Sequence, residues 1–587
     1  MKKYIDILCE EIEKAFEACG YDKKYARVSV SNRPDLCEYQ CNGAMAAAKE
    51  YKCAPIKIAG EVVEKVKTSK YFDSVEAVNP GFININVNAD ALADYVNLMS
   101  KDMDHGFEKC AKGEKLIVDY GGANVAKPLH VGHLRSAIIG ESVKRICKFA
   151  GYDAIGDVHL GDWGLQMGLV IAELEERKPD LPYFDENFKG EYPKEAPFDI
   201  TELEDIYPAA SKKSKLDDDF MQKAHDATFK LQSGYAPYTA IWKHIMAVSV
   251  ADLKKNYSNL DVEFDLWKGE SDVQPIIPGM VDDMIARGIA HESDGAMVID
   301  VARDDDKREI PPCIVRKSDG AALYATSDLA TIIDREENFQ PAKYVYITDK
   351  RQELHFVQVF RAAKIAGIVD DETKFSHIGF GTMNGKDGKP FKTRDGGVMR
   401  LEDLIRIITD AVYDKIMENR TVSEEEARNT ARIVGLSALK YGDLSNQATK
   451  DYVFDIERFA SFEGNTGPYI LYTMVRIKSI LDKYFNGSEA KAEEISFNGE
   501  ATQKSLMLAA ARFNEVLETV VNELAPHKLC AYIYDLANEF NRFYHEVKIL
   551  AEEDESKKKS YIALLKEVVA ILETSIDLLG FEAPERM

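Results

Sequence analysis

Apolar residues recur along this chain in two rhythms, helical and alternating, and the dominant rhythm changes from region to region. Near the start, Ile5, Leu8, Ile12 and Phe16 fall on one face of a 3.6-residue period. Farther on, Ile83, Ile85 and Val87 alternate with Asn84, Asn86 and Asn88, the period of a strand with one buried face. Residues 1–110 therefore predict a small α+β domain, closed by the polar, glycine-bearing break from His105-Gly106 to Gly113. Leu116-Ile117-Val118 predicts a short buried strand. Ile139, Val143, Ile146 and Ala150 mark a helix face that Gly151 ends, and a new strand begins over Asp153 to Val158. Strand, helix, strand in that order predicts a doubly wound parallel sheet. Lys343-Tyr344-Val345-Tyr346-Ile347 is a further strand candidate. Residues 178–222, crowded with Pro, Asp, Glu and Lys, predict a solvated stretch within a larger insertion around 175–330. From about 401 onward helical periodicity dominates and predicts a bundle of roughly 180 residues. The expected architecture is a multidomain α/β chain: an N-terminal α+β domain at 1–110, a doubly wound parallel-sheet core with insertions at 111–400, and a C-terminal all-α helical bundle at 401–587.

Composition narrows the class. At ~150 residues per domain, 587 residues predict three or four units rather than one. Hydrophobic residues make up 45% and charged residues 30%, which excludes a mainly disordered chain. With 75 Lys+Arg against 100 Asp+Glu the net charge is −25, which excludes a generic, charge-driven binder of DNA or anionic lipid. No uncharged apolar run reaches the ~18 residues that a bilayer span needs. The opening Met1-Lys2-Lys3-Tyr4 runs into Asp6, Glu10 and Glu11 without the apolar core of a secretion signal, so a cytoplasmic protein is expected. The nine cysteines are odd in number and include no C-x-x-C pair. Cys37 and Cys41 would share a helix face, but no nearby His or second Cys pair completes a zinc site, so reduced, buried thiols are expected.

The densest chemistry lies in the string from Asp119 to Arg135, between the strand candidate and the start of a helix. A helix N-terminus offers free N–H groups and a partial positive charge to an anion. Gly132 leaves room for a flat ring or a phosphate to approach the backbone. His130 and His133, three apart, can face one ligand as hydrogen-bond donors. The same pair also suits a metal ion or two capping side chains, and spacing alone leaves these readings open.

His130-Val131-Gly132-His133 resembles the His-Ile-Gly-His signature of class I aminoacyl-tRNA synthetases. The longer string, Asn124-Val125-Ala126-Lys127-Pro128 and then Leu129 to Ser136, is similar specifically to arginyl-tRNA synthetases. His159-Leu160-Gly161-Asp162-Trp163-Gly164-Leu165-Gln166 resembles the family's second nucleotide-side segment; by itself it reads as an ordinary βα loop. Tyr324 and Asp328 stand at i, i+4, and a phenol with a carboxylate suits a planar guanidinium, although a lone helix acid more often has no role. The resemblance assigns Tyr324, Asp328 and Gln352 to the arginine side chain, and Asn124 and Asp119 to its α-amino and carboxylate end, with His130 beside them. The loop Gly385 to Gly397 resembles a degenerate Lys-Met-Ser-Lys-Ser loop. Pro390 stands where the motif's first Lys would be, while Lys392 and Arg394 keep charge nearby. Members without the standard loop place a Lys just upstream of the histidine motif, and Lys127 holds that place.

The resemblance implies a Rossmann-type catalytic core that joins L-arginine to ATP and passes it to tRNA(Arg). It implies ATP with Mg²⁺ as co-substrate, no tightly bound cofactor, no dedicated protein metal cage, no membrane, and a monomer. His130, Gly132, His133, Lys127, Lys392 and Arg394 would be catalytic, and Gly161, Asp162, Gly385, Lys386 and Lys389 would bind ATP. Residues 441–455 and 526–546 resemble the helical anticodon-binding region, and 1–110 the domain that touches the tRNA elbow. Arg458, Arg476, His527, Arg542 and Tyr544 would face tRNA, since aromatics interleaved with basic groups can stack on splayed bases. On helical spacing alone such aromatics are more often core. Another small-carboxylate nucleotidyl transferase would not need the long helical region. A catalytically silent tRNA binder would not need Lys127 and the histidine pair. A plain nucleotide-binding regulator leaves the other matches unexplained.

Overall fold

The computed structural model describes residues 1–127, 129–318, 320–389, 399–419, 423–487 and 493–587. The chain divides into two compact units. One comprises Met1–Cys110, Ser461–Asp577 and Glu582–Met587; the other comprises Ala111–Ala460 and Leu578–Phe581.

The second unit is built on five parallel strands in the spatial order Lys374–Phe380, Lys343–Asp349, Lys115–Asp119, Asp153–Leu160, Leu266–Gly269. Leu116, Ile117 and Val118 are fully buried, as an apolar run in a sheet covered on both faces must be. The helix Val131–Phe149 follows the first strand. Its expected face, Ile139, Val143, Ile146 and Ala150, is buried, but so are Arg135, Glu141 and Lys144. Buried charges survive only when paired. Arg135 Nε donates to Asp443 Oδ2 at 3.0 Å, and Glu141 meets Lys144 and Arg145 at 2.9 and 2.8 Å. Gly140 lets this helix lie on Tyr120: a Cβ there would stand 2.2 Å from the ring.

Two expectations need correction. The stretch read as a solvated insertion holds helices with a core of their own. Ile200–Lys213 and Asp218–Gln232 bury Leu203, Ile206, Ala210, Phe220 and Ala224, partly against Leu169 and Ala172. Surface charge hid apolar positions at helical spacing. The helical region does not separate at 401 either. Leu401–Asn419 and Glu424–Leu444 belong to the parallel-sheet unit, which runs to Ala460. Arg135–Asp443 is one reason, and Leu578–Phe581 joins the same unit through Ser142 Oγ, which donates to the Leu578 carbonyl at 2.9 Å.

The first unit carries an antiparallel sheet ordered Val28–Val30, Tyr39–Cys41, Phe82–Val87, Phe72–Val78. Ile83, Ile85 and Val87 are fully buried. The helix Tyr4–Ala18 buries Tyr4, Leu8, Ile12 and Phe16, with Ile5 only partly covered. The same unit includes the helices from Gly467–Phe485 to Pro526–Glu546. Asn514 Nδ2 donates to the Tyr95 hydroxyl at 2.9 Å, and His105 lies 3.0 Å from Glu567 and 3.1 Å from Thr574. None of the nine cysteines is in a disulfide. Cys37, Cys41, Cys147, Cys313 and Cys530 are buried, whereas Cys110 is exposed. Cys41 ends a strand, so it shares no helix face with Cys37.

Candidate active site

In chain order the parallel strands read 5-4-1-2-3. The order reverses between Lys115–Asp119 and Lys343–Asp349, the place where doubly wound sheets open a crevice at the carboxyl ends of their strands. A cavity of ≈ 860 Å³ lies there. Asp119 and Asn124, His130 and His133, Asp328 and Gln352 all line it.

His130 is the N-cap of Val131–Phe149, so this pair is first of all a cap. The Gly132 N–H donates to His130 Nδ1 at 3.0 Å, and the His130 N–H donates to His133 Nδ1 at 3.2 Å. A neutral imidazole that accepts at Nδ1 carries its proton on Nε2. Burial, with the charge of Lys127, pushes His130 below its ordinary value; burial, with His130, holds His133 down to about 3. Both rings are therefore neutral at pH 7 and offer Nε2–H. Capping and anion donation are one arrangement: the cap sets the tautomer that donates. Among the described residues, no group of three or more His, Cys, Asp or Glu could hold a metal ion.

Gly161 works from the next strand end. Asn124 and Gly161 form a bridge, and a Cβ at 161 would stand 2.2 Å from Asn124 Oδ1. Asp162, expected beside ATP, is not among the cavity's lining residues. Its carboxylate is fully buried and accepts from Ser271 N at 3.0 Å and Ser271 Oγ at 2.6 Å. Asp162 fastens the segment after one strand to the segment after the next; burial pushes its carboxyl up, and the hydrogen bonds from Ser271 oppose that shift.

Lys127 Nζ lies 4.4 Å from the centroid of the Tyr207 ring and is not among the residues that line the cavity. Gly385 and Lys389 close a tight turn, with Gly385 N–H donating to the Lys389 carbonyl at 2.8 Å. Lys386 pairs with Asp455 at 3.2 Å. None of these three lines the cavity. Lys392, Arg394 and Pro390 lie outside the described residues. Where the chain is described again, Val131 N–H donates to the Met399 carbonyl at 3.1 Å and Leu401 N–H to the Leu129 carbonyl at 3.0 Å. The loop's return is thereby tied to the histidine turn.

At the other end, Tyr324 opens the helix Tyr324–Asn338, 78% exposed, and Asp328 follows one turn later. Four neighbours escaped the sequence reading. Arg335 is fully buried between Asp119, Asp157 and the Tyr346 hydroxyl; its Nη2 lies 2.7 Å from Asp157 Oδ2 and also pairs with Asp119. Burial pushes the Asp119 carboxyl up, and Arg335 opposes that shift. His355 donates to Asp328. Glu270 lines the cavity, its carboxyl raised by burial and by the nearby acids Asp162 and Asp328. Arg135 lines it too, donating to the Gly381 carbonyl at 2.8 Å. Arg335 stands seven residues after Asp328, on the same helix face, which was a usable signal. Glu270 had none.

Of the residues expected to face tRNA, Arg458 lies in the parallel-sheet unit, exposed on Ile456–Phe459. The other four lie in the first unit. Arg476 is held between two half-exposed rings, 4.7 Å from Tyr472 and 5.1 Å from Tyr544, and donates to Asn541 at 2.7 Å. Arg542 is exposed, 3.9 Å from Glu539 and 3.8 Å from Glu546. His527 is partly buried, which lowers its pKa.

Known proteins match along the whole chain. Residues 96–456 match the catalytic domain of class I tRNA synthetases (R), 470–587 the DALR anticodon binding domain, and 2–87 the arginyl tRNA synthetase N terminal domain. An arginine–tRNA ligase of Agathobacter rectalis is 61% identical over 601 residues, covering 100% of both chains. One from Alkaliphilus oremlandii is 57% identical over 576 residues, 98% of each. The fold is that of the Plasmodium falciparum arginyl-tRNA synthetase, with TM-score 0.82, 24% identity and 100% coverage of both chains. The Thermus thermophilus enzyme gives TM-score 0.78 at 21% identity with the same coverage. Sequence, fold and the histidine turn point the same way, and the chain belongs to the arginyl-tRNA synthetase family of class I aminoacyl-tRNA synthetases.

Proposed function

We propose that this protein is an arginine–tRNA ligase. It activates L-arginine with ATP to arginyl-adenylate and pyrophosphate, then transfers the arginyl group to the 3′-terminal adenosine of tRNA(Arg). The observation that carries this reading is the cavity itself, lined by two neutral imidazole donors at a helix N-terminus and by the acids Asp328 and Glu270.

In the first step the arginine carboxylate attacks the α-phosphate and pyrophosphate leaves. Positioning and charge stabilisation are the protein's share of that work. His130 and His133 supply N–H groups that need no proton transfer to act. Lys127, resting on Tyr207, is close enough to depress both histidines, and we assign it to the phosphates once ATP is bound, with Lys392 and Arg394 of the loop. Mg²⁺ enters with the nucleotide, held by phosphates and water. Asp328, Gln352 and Glu270 take the guanidinium with Tyr324 at the rim; Asn124 and Asp119 take the amino-acid end. A planar cation with five donors satisfies two acids in a way that an ammonium cannot.

In the first unit the Tyr472–Arg476–Tyr544 stack suits a splayed base of the anticodon arm, and residues 1–110 suit the tRNA elbow. We read the enzyme as a cytoplasmic monomer; no helix among the described residues is long and apolar enough to cross a membrane. The test is charging of total tRNA with each radiolabelled amino acid in turn. Arginine alone should be esterified, and esterification of another amino acid would end this reading.

A further inference from the structure

The acid assigned to the guanidinium is already in a hydrogen bond. Asp328 Oδ2 accepts from His355 Nε2–H at 2.5 Å. The side chains are 21% and 27% exposed, and both line the cavity. They come from different elements: Asp328 from the second turn of Tyr324–Asn338, His355 from the start of Glu353–Ile365. The His355 ring stands edge-on to Phe356 at 5.0 Å. Phe356 is itself buried, stacked on His377 at 4.8 Å. The donor thus has a fixed backing, and the acid does not swing freely.

A carboxylate that must be caught in one rotamer loses freedom when a ligand binds, and a preoriented one loses less. With Oδ2 engaged, Oδ1 is left for the ligand. A guanidinium has five N–H groups in a rigid fork, so one oxygen held in a fixed direction favours it over a cation without that geometry.

We propose that His355 is a positioning residue for the substrate side chain: its Nε2–H orients the Asp328 carboxylate so that Oδ1 meets the guanidinium. This rests on the role given to Asp328 above. His355 touches the acid and not the reacting atoms, so its loss is felt in arginine binding and not in chemistry.

The test is ATP–pyrophosphate exchange with tRNA present, on three variants. His355→Phe keeps a ring and removes the donor. His355→Gln keeps a donor at a similar reach. In His355→Phe the arginine KM should rise about tenfold while kcat and the ATP KM stay within about twofold; His355→Gln should recover most of that loss. An unchanged arginine KM in His355→Phe overturns the proposal. So do equal losses in the Phe and Gln enzymes, or a parallel rise in both KM values. Asp328→Asn separates the two levels. If it leaves the arginine KM unchanged, the acid's own role fails and the proposal with it; if it raises that KM while His355→Phe does not, the histidine alone is removed.

Discussion

At position 132 a methyl group would stand 2.7 Å from Cε1 of His130 and 2.9 Å from its Nδ1, inside any non-bonded approach. The imidazole would have to leave, and with it the Nε2–H that we assign to the phosphates. Gly132→Ala is expected to lower the exchange rate about a hundredfold, the usual effect of losing one preorganised donor, and to lower the denaturant midpoint modestly, since the same ring caps the helix and a lost cap costs about 1 kcal/mol. His133 gives a different prediction. Its folded-state value, about 3, lies below the ordinary 6.5. Between those limits the unfolded chain binds a proton that the folded chain does not, so stability is whole above 6.5 and declines as pH falls. One such proton gives a slope of about 1.4 kcal/mol per pH unit. Urea titrations from pH 7 to 4.5 should show His133→Gln losing that much less per unit than the parent. The spacing of the two histidines was visible in the chain; their tautomer was not, because it depends on which backbone N–H each ring caps.

Two helices carry the site, and both bury charge. Val131–Phe149 holds Arg135 against Asp443, and Tyr324–Asn338 holds Arg335 between Asp119 and Asp157. Removing one partner of such a group strands the others in low dielectric. Arg335→Met leaves two carboxylates facing each other and should cost about 3–5 kcal/mol, read as a lower midpoint in urea. Asp157→Asn beside it removes one of the two acids and should cost less. The face that Tyr324 shares with Asp328 follows from spacing; the helix start at Tyr324 does not. That Arg335, on the same face, points inward follows only from the strand ends packed beneath it. The insertion makes the same point in reverse. Leu203, Ile206 and Ala210 keep a helical rhythm and are buried, but the charges around them read as solvent-facing until the packed helices, with Leu169 and Ala172 against Ala210, supply the surface to cover.

Over the molecule as a whole, segments from both ends of the chain share one compact unit and the parallel sheet forms the other. If the first unit reads tRNA, its contacts should be separable from the cavity. Tyr544→Ala removes one face of the sandwich around Arg476 and should weaken tRNA binding about tenfold, leaving the arginine KM alone. Arg542→Ala should lower the slope of log Kd against log salt by about one. Filter binding between about 50 and 200 mM salt measures both; an unchanged slope would take Arg542 off the RNA. The strand–helix–strand core, the histidine turn, the Tyr324–Asp328 pair and the family were all legible in the chain, because each rests on local periodicity or on a contiguous string. Other outcomes waited for the packed fold: that Asp162 serves Ser271, that Lys127 rests on Tyr207, that the helices up to Ala460 belong with the sheet, that His355 and Glu270 reach the cavity, and that Arg335 lies buried beneath Asp119. Those outcomes depend on pairings between residues far apart in the chain, and burial, which sets the charge and the partner of each, is a property of the assembled core and not of the local string.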